Sequence, residues 1–362
     1  MKFSMNKSEL LSAISVPCAV AEKGRVDYLS CVLVEASGDS VRFTGTDLTR
    51  SARCSSQALV EAEGVALIGA MRLLRIVKSL PNEAVEVEAD GKSASVSCGR
   101  SRFSVPALTP QDFPAFPEVE AEQTLTLGAG VFASMAKAAL ASTIAENAKD
   151  DRMWAKCVHV RANADNIMCE GTDGYRIMRK HVPNDDGQAF DAMLPPGFLK
   201  QALSAPLKGE LTISASSGHV AISCGTFEVS SSVVNGEYAD TSRFFCAPDA
   251  LNARAKVDRD GLMAAIKRAE TVGTSTDAVR LDVDSFVLGV SRESTDRSET
   301  MSDALDAETE GKCDVYVRVE FLRDAVAAAS GDEVALGIVN PLKPLLVESP
   351  DMSACVMPVR RP

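Results

Sequence analysis

The chain is short of the residues that usually announce chemistry. Histidine occurs three times in 362 residues, at 159, 181 and 219, and none stands beside a second candidate ligand at metal spacing. The ten cysteines are scattered, and no two make the Cys-x-x-Cys of a zinc site or a redox pair. They read as reduced, buried thiols of a cytoplasmic protein, with no metal and no cofactor implied. Three isolated histidines also suggest no Ser-His-Asp or Cys-His arrangement. Aromatic residues are 5% of the chain, with one Trp and four Tyr, so the cores must be built from Val, Leu, Ile and Ala. No apolar run is long enough to span a bilayer. Leu10–Ala21 follows Lys2 and Lys7 as the core of a signal peptide would, but Ser12, Ser15 and Pro17 interrupt it. It reads instead as a helix of the mature protein. Basic excess is lacking too: the net charge is −12, which would ordinarily argue against a nucleic-acid partner.

What is present is repetition, with a period of about 125 residues. Asn6 and Glu9 resemble a capping box ahead of Leu10, Leu11 and Ile14. The same apolar triplet returns as Val131, Phe132, Met135 and as Leu262, Met263, Ile266, the last after Asp260 as expected N-cap. A second helix recurs as Leu73, Leu74, Val77, then Phe198, Leu199, Ala202, then Phe321, Leu322, Ala325. Alternating segments over 85–105 and 211–231 predict hairpins, the first turning at Asp90-Gly91, and Cys98-Gly99 is matched by Cys224-Gly225. Pro106, Pro110, Pro114 and Pro117 mark an extended linker, and 235–248 is a second stretch without periodicity. The expected architecture is α+β: three tandem domains, 1–120, 121–247 and 248–362, each with two helices against antiparallel sheets. Such copies leave exposed sheet edges, and closing the assembly into a ring removes them.

Two segments of the chain could suggest catalysis. Asp47 and Asp173 sit in matching Gly-Thr-Asp triplets, and paired acids could hold Mg²⁺. They stand at equivalent places in separate copies, and the third copy has no such Asp after Val290, so a turn role is expected. Asp90-Gly91-Lys92-Ser93 mimics half a phosphate loop, but Glu86 stands where its first glycine is required.

Specific stretches resemble the bacterial β sliding clamps, the β subunits of DNA polymerase III. They are Gly99–Ser104 with Asp112-Phe113-Pro114, then Thr172–Arg176, the terminal Val356–Arg360 and the opening Met1-Lys2-Phe3. The resemblance runs over the whole chain in the family's order. It implies a non-catalytic processivity factor: a head-to-tail homodimer whose six similar domains surround double-stranded DNA, helices inward and sheets outward. Partners would be the replicative polymerase, an ATP-dependent clamp loader and other proteins carrying clamp-binding motifs, with no membrane. The helical segments carry net positive charge while the whole chain is −12, so the signs are segregated as encirclement needs. A repeat-built protein scaffold that does not encircle DNA is the alternative.

Residue by residue, the resemblance places DNA contacts at Arg25, Lys149, Arg152 and Trp154, and the helix pattern adds Arg72, Arg75 and Lys78. It places a peptide pocket at Thr172, Gly174, Tyr175, Arg176 and Ile177, with Arg243 and Phe244 from the second linker. Leu342, Pro344, Val356, Met357, Pro358 and Val359 would complete it. The dimer contact would set Phe103 and Val105 against Thr271 and Val272. Where the family often carries two tyrosines this chain has Met153 and Trp154, and Ala155 and Ala239 replace bulkier residues.

Overall fold

A strand running straight into a helix is the repeated local unit. Lys2–Asn6 leads into α1 (Lys7–Ala21), Gly64–Gly69 into α2 (Ala70–Ser79) and Gln123–Gly128 into α3 (Ala129–Ala141). After the short α4 (Met153–Lys156), Phe190–Leu194 leads into α5 (Pro196–Ser204). Ala253–Asp258 leads into α6 (Arg259–Ala269) and Cys313–Arg318 into α7 (Val319–Ala328). The computed structural model describes residues 1–21, 27–234, 236–274 and 277–360. Among these residues no helix is long and apolar enough to cross a membrane.

The chain divides into two compact units, residues 1–133 with 194–233, and residues 134–193 with 234–362. In the first, a 13-stranded sheet is stitched together where Phe227–Ser232 pairs antiparallel with Arg50–Gln57. Its core gathers Phe3, Leu10, Ile14, Phe43, Leu73 and Val77. In the second, a 12-stranded sheet is joined where Met352–Val356 pairs with Arg176–Pro183. Leu262, Ile266, Leu322 and Val326 anchor that core.

The helix-to-strand contact recurs at one register. The eleventh residue of α1 is Pro17, of α3 Ala139 and of α6 Ala269. A side chain at Gly45 would be driven into the Pro17 carbonyl, and one at Gly171 into the Ala139 carbonyl. In the third instance the strand carries Arg292, which is buried and donates to the Ala269 carbonyl at 2.8 Å. A close backbone approach in two places is thus replaced by a buried guanidinium in the third.

Two helix assignments are corrected. Val131 is 45% exposed, and the residue in the Leu10 position of α3 is Phe132. The apolar triplet had slipped by one residue because a solvent-facing valine imitates a core position. At α6 the N-cap is Asp258, whose carboxylate accepts the Gly261 N–H at 2.5 Å, while Asp260 lies inside the first turn and pairs with Arg259. The hairpin expectation at Asp90 holds: its carboxylate accepts the Lys92 and Ser93 N–H groups, and Gly91 has φ +88°.

Candidate functional site

Residues 172–176 form a turn tied by its own side chains. The Thr172 hydroxyl donates to the Arg176 carbonyl at 2.7 Å and accepts from the Gly174 N–H at 3.1 Å. Asp173 accepts the Tyr175 and Arg176 N–H groups at 2.8 and 3.0 Å, and Arg176 Nε at 3.1 Å. The Arg176 guanidinium also reaches Asp324 at 2.6 Å and lies over the Phe321 ring at 4.4 Å. Asp173 is therefore consumed in holding the turn, as Asp47 is in its own: Asp47 accepts from the Thr49 and Arg50 N–H groups and from the Arg50 guanidinium.

Beside the 172–176 turn lies a cleft of about 210 Å³. Ile177 and Cys355 face each other across paired strands in its floor. Trp154, Ala239, Phe244, Pro344 and Met357 supply most of the remaining apolar wall, with Thr172, Gly174, Arg176, Asp240, Thr241 and Arg243 among them. The linker side is pinned by a buried network. Glu170 accepts from Arg179 and from the Thr241 hydroxyl, Arg179 donates to Thr241, and the Arg179 guanidinium covers Phe245 at 4.0 Å. The Cys355 thiol donates to the Phe244 carbonyl at 3.2 Å, and burial pushes its pKa far up, so it is held as a neutral packing group rather than a thiolate. A cleft that is mostly apolar inside, with Thr172, Arg176 and Thr241 already hydrogen-bonded, is suited to receiving an apolar side chain.

Several expected pocket residues are not among those that line this cleft. Val356 is fully buried in the core of the second unit, because alternate residues of a strand face opposite ways and Cys355 and Met357 take the cleft side. Tyr175 and Leu342 are strongly exposed and do not line the cleft. Pro358 bridges to Val317, and Val359 donates its N–H to the Tyr316 carbonyl. Trp154, expected at DNA, lines the cleft and meets Tyr238 edge-on. Asp240, Thr241 and Cys355 were not anticipated. Alternation from Ile177 and Met357 would have reached Cys355, but no periodic signal marks the linker residues.

On α2, Arg72, Arg75 and Lys78 all lie on the exposed face, three residues apart, opposite buried Leu73, Ile76 and Val77. Lys137, Lys200 and Lys267 are exposed on α3, α5 and α6, and with Arg72 and Lys78 they form no ion pair among the described residues. Lys149 is exposed. Arg152 is held by Asp150 through two contacts of 3.1 and 2.8 Å, so part of its charge is already answered, and its guanidinium lies against Gly174. Hydrogen bonds from Arg152 draw the Asp150 pKa down to about 2. Arg25 lies outside the described residues. Of the expected dimer residues, Phe103 is partly exposed and Thr271 is exposed, with its hydroxyl donating to the Arg268 carbonyl. Val272 is half-buried. Val105 is packed into the first unit's core, on the same strand face as Phe103 but further in.

This architecture is that of the sliding clamps. The chain aligns along its full length with a DnaN sliding clamp of Pseudomonas aeruginosa at TM-score 0.89 and 21% identity, both chains covered completely. A sliding clamp of Bacillus subtilis aligns at TM-score 0.88 and 19% identity, again with full coverage of both. The Beta sliding clamp of Streptomyces coelicolor is 26% identical over 358 residues, covering 96% of this chain and 93% of the relative. That of Micrococcus luteus is 29% identical over 289 residues, covering 78% and 91%. The family profiles for the DNA polymerase III beta subunit match residues 1–117 as its N-terminal domain and residues 246–360 as its C-terminal domain. The chain belongs to the DNA polymerase III beta subunit family.

Proposed function

We propose that the chain is a DNA sliding clamp that holds the replicative polymerase on its template. Three domains, 1–120, 121–247 and 248–362, repeat the strand–helix pair twice each. Two copies would join head to tail through Phe103 and the exposed edge of its strand on one side and Thr271 with Val272 on the other. Encirclement supplies processivity without tight contacts, so the protein needs diffuse positive charge rather than base recognition. Arg72, Arg75, Lys78, Lys137, Lys149, Lys200 and Lys267 supply it, while the acidic remainder keeps the surface soluble. The polymerase, an ATP-dependent loader and other motif-bearing proteins would dock through short linear segments. No catalytic step is assigned to the chain, and its setting is cytoplasmic.

The observation that carries the docking half is the cleft beside Thr172–Arg176: open to solvent, mostly apolar, and bordered by a turn whose Thr172 and Arg176 are already hydrogen-bonded. The experiment for the whole is retention on circular DNA. Labelled protein is loaded onto nicked plasmid with the host's loader and ATP, isolated by gel filtration at moderate salt, and the plasmid is then cut once. Co-elution with circles and release on linearisation support encirclement. Failure to co-elute, with the loader active on another clamp, favours a protein-binding scaffold. Retention on linear DNA with free ends favours an ordinary DNA binder.

A further inference from the structure

Trp154 is the chain's sole tryptophan, and it stands in the cleft wall. It is set there by a stack of rings rather than by loose packing. The indole meets Tyr238 edge-on at 5.3 Å between centroids, and Tyr238 lies face to face on His159 at 4.6 Å. His159 Nε2 is 2.8 Å from Asp191 Oδ1, which fixes the far end. The Tyr238 hydroxyl is buried with no hydrogen-bond partner among the described residues. Its ring is therefore kept for its faces and not for its polar tip. Ala155 and Ala239 add little bulk nearby, so the indole supplies the largest side chain of the wall.

We infer that Trp154 is the specificity-determining residue of the cleft, favouring a Phe or Tyr side chain of a docked linear peptide over a Leu, with Tyr238 and His159 as positioning residues. The inference rests on the peptide-docking reading above and deepens it. With the indole in place the cleft of about 210 Å³ has room for an aromatic side chain against that wall. An aromatic occupant gains ring-to-ring contact that an aliphatic one of similar area cannot, a preference of about three- to tenfold.

Peptides of fifteen residues tiling the host's replicative polymerase are titrated into the full chain by calorimetry, and the strongest binder is remade with its apolar residues exchanged among Phe, Leu and Ala. Because only one tryptophan is present, its emission reports occupancy of this wall directly. The expected result is an emission shift on binding and about three- to tenfold tighter binding of the Phe peptide than of its Leu counterpart. Trp154→Ala should still bind but lose that preference, and Trp154→Phe should restore most of it. Tyr238→Leu should red-shift the free protein's emission and weaken the preference without abolishing binding. If the Phe preference survives in Trp154→Ala, or if calorimetry shows binding while the emission is unmoved, the inference is overturned and docking stands. If no tile binds in calorimetry, the docking reading falls and takes the inference with it.

Discussion

The turn at 46–50 and the turn at 172–176 are built alike, and only one of them borders the cleft. In both, a threonine hydroxyl donates to the carbonyl four residues on, and an aspartate accepts two backbone N–H groups and pairs with the arginine three residues later. In both, an arginine three residues beyond covers a linker phenylalanine: Arg53 over Phe116 at 4.1 Å, and Arg179 over Phe245 at 4.0 Å. The difference lies in what surrounds the frame. After Arg50 comes Ser51, whose hydroxyl bonds to Thr46; after Arg176 comes Ile177, which offers an apolar floor. The strand paired against the first turn reads Ser230-Ser231-Ser232, and the one against the second reads Cys355-Val356-Met357. Where Gly174 bends at φ +89°, the first turn forces Leu48 to φ +72° with its side chain 64% exposed. One scaffold, duplicated, thus borders an apolar cleft only where its neighbours are apolar.

The comparison can be broken in four ways. The largest effect is expected from the shared frame. Gly45→Ala and Gly171→Ala each drive a methyl into a helix carbonyl and should each destabilise their unit by about 2–3 kcal/mol in urea denaturation. A neutral result at either would mean the two frames are not equivalent. Next, Met357→Glu places a charge at the cleft and should weaken a docked peptide by about tenfold or more in calorimetry. Leu48→Glu, on the other turn, should leave that affinity unchanged. Smaller effects come from the bends. Gly174→Ala should cost about 1 kcal/mol from its backbone angle, and it also crowds Arg152 Nη1, 2.8 Å from where the new methyl would sit. Leu48→Gly should change stability by about 0.5 kcal/mol or less, because relief at φ +72° is offset by greater freedom of the unfolded chain. Both shifts would be read from denaturation midpoints.

The smallest effect is one of pH. The Asp150 pKa is drawn to about 2 from an ordinary 3.8, first by the Arg152 side chain. A depressed carboxylate favours the folded state at neutral pH. That contribution is complete above the unfolded value and is lost as pH falls from 3.8 toward 2. Carboxyl NMR titration should show the low midpoint, and Arg152→Ala should raise it part of the way toward 3.8, because the backbone N–H of residue 152 still donates to the carboxylate.

The repeated helix pairs and the hairpins were legible because apolar periodicity and Asp-Gly or Cys-Gly turns are local signals. Where they misled, the cause was equally local: Val131 is apolar yet solvent-facing, and nothing in its neighbours says so. The cleft was legible by segment but not by side chain. Period-two alternation hides Val356 and presents Cys355 and Met357, and choosing the parity needs the pairing of Ile177 with Cys355. Trp154 was the hardest to place. Its placement depends on Tyr238, which is remote in sequence and meets it only in the folded chain, and on His159, which stacks on the far side of that ring.

The most direct measurement is hydrogen–deuterium exchange on the full chain with and without a docked polymerase peptide. The account predicts that peptide slows exchange at residues 172–177, 240–244 and 355–357 and leaves residues 46–51 and 230–232 unchanged. Equal protection at both turns, or protection at 46–51 alone, would contradict it, because the apolar surroundings of the second turn would then not be what makes it a receptor.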